Sequence, residues 1–167
     1  MVLRPDNFTE QAQEALGSSQ EIVRRYRHSQ WDSEHILVAL LEQEHSVPLD
    51  ILEEMGVPAD AMRARLHELL DRAPKVASPT NQIFMTPGAE RLLSLAKAEA
   101  DRLGDEFIGT EHLLIALTQE DQGDVARVLQ EYDVETEGVY QALQKVRGGH
   151  RVNDPRAESH YRSLERF

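Results

Sequence analysis

Ser33-Glu34-His35-Ile36-Leu37-Val38-Ala39-Leu40 returns 77 residues later as Thr110-Glu111-His112-Leu113-Leu114-Ile115-Ala116-Leu117. Five of the eight positions are identical, and the other three exchange Ser for Thr, Ile for Leu and Val for Ile, which keeps shape and polarity. The same offset runs without a gap from residues 8–70 to residues 85–147, where 13 of 63 positions are identical against about four expected from ordinary composition. The chain is therefore a duplication, and each half has to be read as one folding pattern stated twice.

Around the first octet the apolar residues fall at helical spacing. Phe8, Ala12, Ala15, Leu16, Ile22, Val23 and Tyr26 predict one long amphipathic helix, capped by Thr9 and loosened at Gly17. Asp32 or Ser33 caps a second helix running to about Glu44, with Ile36, Leu37, Leu40 and Leu41 as its buried stripe. A short third helix opens at Ser46-Val47-Pro48, turns Leu49, Leu52 and Met55 inward and ends at Gly56. A fourth starts at Val57-Pro58-Ala59-Asp60 and carries Met62, Leu66, Leu69 and Leu70 on one face.

The second half repeats these steps. Thr86-Pro87 starts the long helix, Gly104 stops it, and after the second octet come a helix from Asp124 to Tyr132 and a last one from about Glu135 to Arg147 with Val139, Leu143 and Val146 inward. The fold class expected is all-α: two pseudo-symmetric repeats of four helices, residues 1–73 and 85–147, joined by a linker over 74–84, with a groove between them. Residues 148–167, with Gly148-Gly149, Pro155 and a weak apolar pattern of Tyr161, Leu164 and Phe167, are read as a mobile linker toward a module outside this chain.

Composition narrows the function classes. With 18 basic against 30 acidic residues the net charge is −12; residues 147–167 carry five arginines against three acids, so the part up to Val146 stands at −14. Such a surface repels nucleic acid and anionic membrane and favours cationic or apolar protein segments. No cysteine is present and the longest apolar run, Ile36 to Leu41, is far too short to span a bilayer, so a cytoplasmic protein is expected.

Catalytic patterns are missing. No phosphate-binding Gly-x-x-x-x-Gly-Lys-Ser/Thr, no Gly-x-Gly-x-x-Gly and no His-Glu-x-x-His occurs, and the seven histidines are not spaced as metal ligands. His35 and His112 are read as structural imidazoles at two equivalent helix starts. The chain is expected to be non-enzymatic and to hold no metal or cofactor of its own.

The octet, its repetition and the ending together resemble the N-terminal domain of the Clp family of AAA+ unfoldases. Gly109-Thr110-Glu111-His112-Leu113-Leu114 matches that family's repeated signature, Asp32-Ser33-Glu34-His35-Ile36-Leu37 is a departed copy, and Phe8-Thr9-Glu10 looks like the family's opening. The stretch from Val146-Arg147-Gly148-Gly149 to Tyr161-Arg162-Ser163-Leu164-Glu165-Arg166-Phe167 resembles the ClpB type, with the ClpC type as the alternative. The ClpB resemblance implies capture of unfolded or aggregated polypeptide for an ATP- and Mg-dependent motor outside this chain. It also implies adaptor proteins as further partners, a monomer in isolation and a hexamer for the whole protein. The ClpC resemblance implies instead a receptor for adaptors or for arginine or phosphoarginine degrons.

Six residues are candidates for contact. Glu34 and Glu111 sit in the first turn of a helix, where a carboxylate complements the positive end of the dipole by about 0.3–1 kcal/mol; the ClpC resemblance adds an acidic pocket for arginine side chains. Of the two, Glu111 has the intact signature. Thr9 is an N-cap and, by resemblance, part of a polar patch where substrates or adaptors meet the domain. Asp105 is a turn residue that matches the family's loop before the second signature. Phe8, with Met85 at the equivalent position, packs in the core or covers the groove. Leu92, Leu93 and Leu95 cannot all face one stripe, which leaves Leu95 as an exposed apolar contact. Trp31, standing where the second repeat has Ile108, is expected to be buried.

Overall fold

The computed structural model describes residues 3–77 and 82–158, so Ser78, Thr80 and Asn81 of the expected linker, and Tyr161, Leu164 and Phe167, lie outside the described residues. The described chain is all-α apart from two two-residue strands, β1 (Gln30–Trp31) and β2 (Phe84–Met85). The first repeat contributes α1 (Glu10–Arg25), α2 (Ser33–Glu42), α3 (Val47–Glu54) and α4 (Ala59–Arg72). The second contributes α5 (Pro87–Arg102), α6 (Thr110–Thr118), α7 (Gly123–Glu131) and α8 (Thr136–Arg147), each at nearly the same offset from its mate.

Local chemistry starts these helices as the sequence predicts. The Thr9 hydroxyl accepts the Ala12 N–H at 3.1 Å and the Thr86 hydroxyl accepts the Ala89 N–H at 3.0 Å, so both long helices carry the same cap. Gly17 does not loosen α1, which runs through it unbroken. Gly56 and Gly104 follow the ends of α3 and α5 with φ of 74° and 75°, a conformation a side chain would strain.

The octets become α2 and α6, and these are buried nearly all round. Every residue from Thr110 to Leu117 is buried, as are Ser33 and His35 to Leu41. A helix apolar on all sides must be wrapped by others, and α1 packs on α2 while α5 packs on α6.

The wrapping crosses between repeats. The two repeats are not separate bundles, because α3 packs on α8 and α4 on α7. The segments leading into the long helices are exchanged as well. Ile108 N–H donates to Asn7 O and Thr9 N–H to Ile108 O, both at 2.9 Å; their mates are Phe84 N–H to Ser29 O at 3.0 Å and Thr86 N–H to Trp31 O at 3.1 Å. One hydrophobic cluster consequently runs from Phe8 through Leu40 and Leu117 to Ala157.

Some side chains differ from expectation. In α3, Ile51 and Leu52 are fully buried and Leu49 and Met55 only partly, because α8 covers one side of that helix. Met85 is 40% exposed and its neighbour Phe84 62%, whereas Phe8, at the equivalent position, is buried. Trp31 is buried and its indole N–H donates to Ser19 Oγ at 2.8 Å. In α8 Val146 is partly buried and Arg147 is the inward residue.

Leu117→Ala is expected to cost about 2–5 kcal/mol through the cavity it leaves. Because the two repeats share one core, denaturation should remain a single transition that shifts as a whole. Two transitions of which only one moves would contradict the interlocked fold.

Candidate functional site

The six candidates fall into two groups, one around each octet. The difference between the groups begins with how each buried helix start is satisfied. An imidazole at the third helical position accepts the capping residue's amide in both repeats: Asp32 N–H to His35 Nδ1 at 3.0 Å, Gly109 N–H to His112 Nδ1 at 2.7 Å. With Nδ1 accepting, Nε2 carries the proton and needs an acceptor.

In the first repeat that acceptor is a second imidazole. His35 Nε2–H donates to His28 Nδ1 at 2.9 Å, and His28 Nε2–H in turn donates to Leu70 O at 3.0 Å. The chain of bonds is complete only with both rings neutral. Burial, reinforced by His28, pushes His35 down to about 4, and burial also lowers His28.

In the second repeat Asp105 stands where His28 stands in the first, and His112 Nε2–H donates to its Oδ2 at 2.7 Å. A buried carboxylate needs a cation, and Arg147 at the end of α8 supplies it. The guanidinium reaches Asp105 Oδ2 at 2.9 Å and Glu111 Oε2 at 3.2 Å. Burial works to raise Asp105, but the bonds from His112 and the Val152 amide, with the charge of Arg147, outweigh it and hold this carboxyl below the usual range.

The described part of the segment expected to be a free linker closes over this network. Val152 N–H donates to Asp105 Oδ1 at 2.9 Å; Val152 O accepts Glu106 N–H at 2.9 Å and Phe107 N–H at 3.1 Å. Glu158 Oε2 accepts the Thr110 amide at 3.0 Å and the Thr110 hydroxyl at 2.9 Å. Thr9, Glu111 and Asp105 are thereby 0%, 0% and 5% exposed, and Phe8 is 5% exposed in the core.

The second group is open. Glu34 and Leu95, both partly buried, share a cleft between the start of α2, α5 and the loop before α7, with Asp32, Arg91, Glu120 and Asp124 on its walls. Ser33 donates to Glu120 and Thr86 to Asp32 Oδ1, which ties the acidic wall together. Burial, with Asp32, Asp124 and Glu120 nearby, pushes Glu34 up to about 7. Leu70 occupies the place that Arg147 holds in the second repeat, so nothing equivalent to that guanidinium stands beside Glu34.

Among the described residues no group of three or more His, Cys, Asp or Glu could hold a metal ion, and no helix is long and apolar enough to cross a membrane. Sequence reasoning missed Arg147, Val152 and Glu158. For Arg147 a signal existed: it continues the apolar steps Val139 and Leu143 and aligns with Leu70, a position too buried for an unpaired charge.

Residues 7–132 match the model of the Clp repeat (R) N-terminal domain. The chain belongs to this family. Among its relatives the chaperone protein ClpB of Vibrio cholerae is 33% identical over 165 residues, 99% of this chain but 19% of that protein. ClpB 1 of Synechocystis is 31% identical over 163 residues, 98% of this chain and 18% of that protein. The Hsp104 N-terminal domain from Candida albicans superposes with a TM-score of 0.76 at 17% identity, covering 90% of this chain and 98% of that one. The chain is thus similar over nearly its whole length to part of the ClpB chaperones, and it spans about a fifth of the length of the curated relatives it matches. The family model's match ends before α8, whereas the similarity to the ClpB relatives runs over 163–165 residues and so takes in Arg147 and the segment after it.

Two stability measurements follow from the site. Arg147→Met should cost about 3–5 kcal/mol at pH 7.5, because it leaves two buried carboxylates without a cation. That penalty should shrink as pH falls and the carboxyls take up protons. His35 has its folded value depressed below the unfolded one, so its contribution is present above pH 6.5 and is lost as pH falls toward 4. The loss is on the order of 3 kcal/mol. His35→Gln keeps an acceptor for the Asp32 amide and should remove that slope from the difference in stability between the two proteins.

Proposed function

We propose that this domain recruits unfolded or aggregated polypeptide for an ATP-driven disaggregase, and that the polypeptide first rests in the cleft beside Glu34 and Leu95. The observation that carries this reading is the composition of that cleft. Leu95 and Val125 offer apolar contact, and around them the acids Asp32, Glu34, Glu120, Asp121 and Asp124 outweigh the one cation of the lining, Arg91. Unfolded chains expose apolar side chains interspersed with Lys and Arg, and such a wall suits both. Similarity to the ClpB chaperones supports the same role.

On this reading the ATP and Mg chemistry and the hexamer belong to other parts of the protein. The domain itself acts as a cytoplasmic monomer without a cofactor, and adaptor proteins compete for the same cleft. The second reading, a receptor for arginine degrons, has a specific observation behind it at Glu34 alone, because Arg147 already holds the arginine position beside Glu111. The acidic wall favours unmodified arginine over phosphoarginine, whose phosphate it would repel.

NMR titration tests both readings. A reduced, carboxymethylated protein should shift Leu95 and Val125 where its native form does not, and equal shifts with both forms would overturn the capture reading. A basic peptide binds best to ionised Glu34, so its affinity should rise from pH 6 toward pH 8. That rise should shrink in Glu34→Gln to the part carried by Glu120, whose carboxyl burial also raises. Saturable binding of free arginine lost in Glu34→Ala but kept in Glu111→Ala would favour the degron receptor.

A further inference from the structure

We propose that residues Val152 to Glu158 form a proton-held strap: a shared proton between the Glu111 and Glu158 carboxyl groups keeps it docked over the start of α6, and loss of that proton releases it. The inference deepens the capture reading and rests on it for the strap's role as a gate.

The geometry requires such a proton. Three carboxyl groups, Asp105, Glu111 and Glu158, converge on the start of α6, and the cation facing them is Arg147. His112 is neutral, since its Nδ1 accepts the Gly109 amide while its Nε2–H serves Asp105. Arg147 bonds Asp105 and Glu111, while Glu158 accepts the Thr110 amide and the Thr110 hydroxyl. The two glutamates crowd one point: a Cβ at Gly109 would stand 2.5 Å from Glu111 Oε1 and 3.4 Å from Glu158 Oε2. Glu111 Oε1 and Glu158 Oε1 are both buried with no hydrogen-bond partner among the described residues. Two ionised carboxylates placed this way repel each other, whereas one proton between them removes a charge and supplies a donor.

Burial first and the charge of Glu111 second, against the opposing hydrogen bonds, push Glu158 up to about 7. Released into solvent it returns to the ordinary glutamate range, near 4.3. Opening therefore releases a proton between those limits, so the open fraction rises with pH across this window and levels off above pH 7.

The strap has the contacts of a removable cover. Beyond Glu158 its hold includes the Val152 bonds to Asp105, Glu106 and Phe107, the bond from Glu10 N–H to Pro155 O, the burial of Val152 and Ala157, and an exposed Arg156–Glu10 ion pair. Lifting it withdraws Val152 and Ala157 from the edge of the hydrophobic cluster and leaves the packing of α6 on α5 and α8 in place. It uncovers the backbone of Glu106 and Phe107, to which another extended chain can bond as Val152 does, together with Thr9, Asp105 and Glu111.

Residue-resolved hydrogen exchange on the full chain tests the strap. The reporters are the amides of Glu10, Glu106, Phe107, Thr110 and Val152, with Leu40 and Leu117 as core controls. After correction for intrinsic rates, opening should rise about tenfold per pH unit from pH 5 to pH 7 at the reporters and not at the controls. Glu158→Gln, a permanently neutral isostere, should make reporter opening independent of pH. Glu158→Ala should open the reporters at pH 5 while the core controls stay protected. Reporter opening that changes less than twofold from pH 5 to pH 7, or an unchanged pH dependence in Glu158→Gln, would overturn the strap. An unfolded, carboxymethylated protein added at each pH separates the two claims. New shifts at Ile108 that grow with reporter opening support the gate. Reporter opening without such shifts keeps the strap and overturns capture at this surface.

Discussion

Two helices buried on every side set the terms for the rest of this molecule. The first amides of a helix have no partner within it, and for α2 and α6 little water is available to supply one. An imidazole three residues past each cap meets this demand, and by accepting on Nδ1 it passes the demand on to an acceptor for Nε2–H. His28 answers in the first repeat and Asp105 in the second. A neutral ring ends the sequence of requirements at a carbonyl. A carboxylate extends it to Arg147, Glu111 and the segment that follows α8.

That single exchange makes structurally unequal sites out of a duplicated sequence. Where the requirements end early, Leu70 packs at the close of α4 and Glu34 remains at the wall of an open acidic cleft. Where they continue, the equivalent glutamate is locked beneath a guanidinium and a strap. Glu111, which has the intact signature, is the less accessible of the two. Its burial is the structural consequence of the charges that the second repeat had to neutralise.

The local rules were legible because the duplication states them twice. Thr9 and Thr86 as caps, Gly56 and Gly104 after helix ends, Trp31 as a buried residue and His35 and His112 as structural imidazoles all follow from spacing and side-chain chemistry. The crossing of α3 onto α8 and of α4 onto α7 was not legible, because an amphipathic face shows that a helix must be covered and not which repeat covers it. Met85 shows the same limit: its periodicity matched that of Phe8, yet β2 leaves it exposed. In the candidate site, Glu34 and Leu95 lie together as an acidic and an apolar residue of one cleft, a proximity that 60 intervening positions hid. The role of Glu158 depends on a backbone path after Arg147 that composition alone described as linker.

If the cleft beside Glu34 receives polypeptide, the two copies of the octet meet an incoming chain differently. Intermolecular nuclear Overhauser effects at pH 6 between a permanently unfolded protein and the methyl groups of this domain test that difference. Contacts to Leu95 and Val125 beside Glu34 are expected, with Val152 and Ala157 still docked and Ile108 silent. Contacts to Ile108 at that pH, with Leu95 untouched, would contradict capture in this cleft.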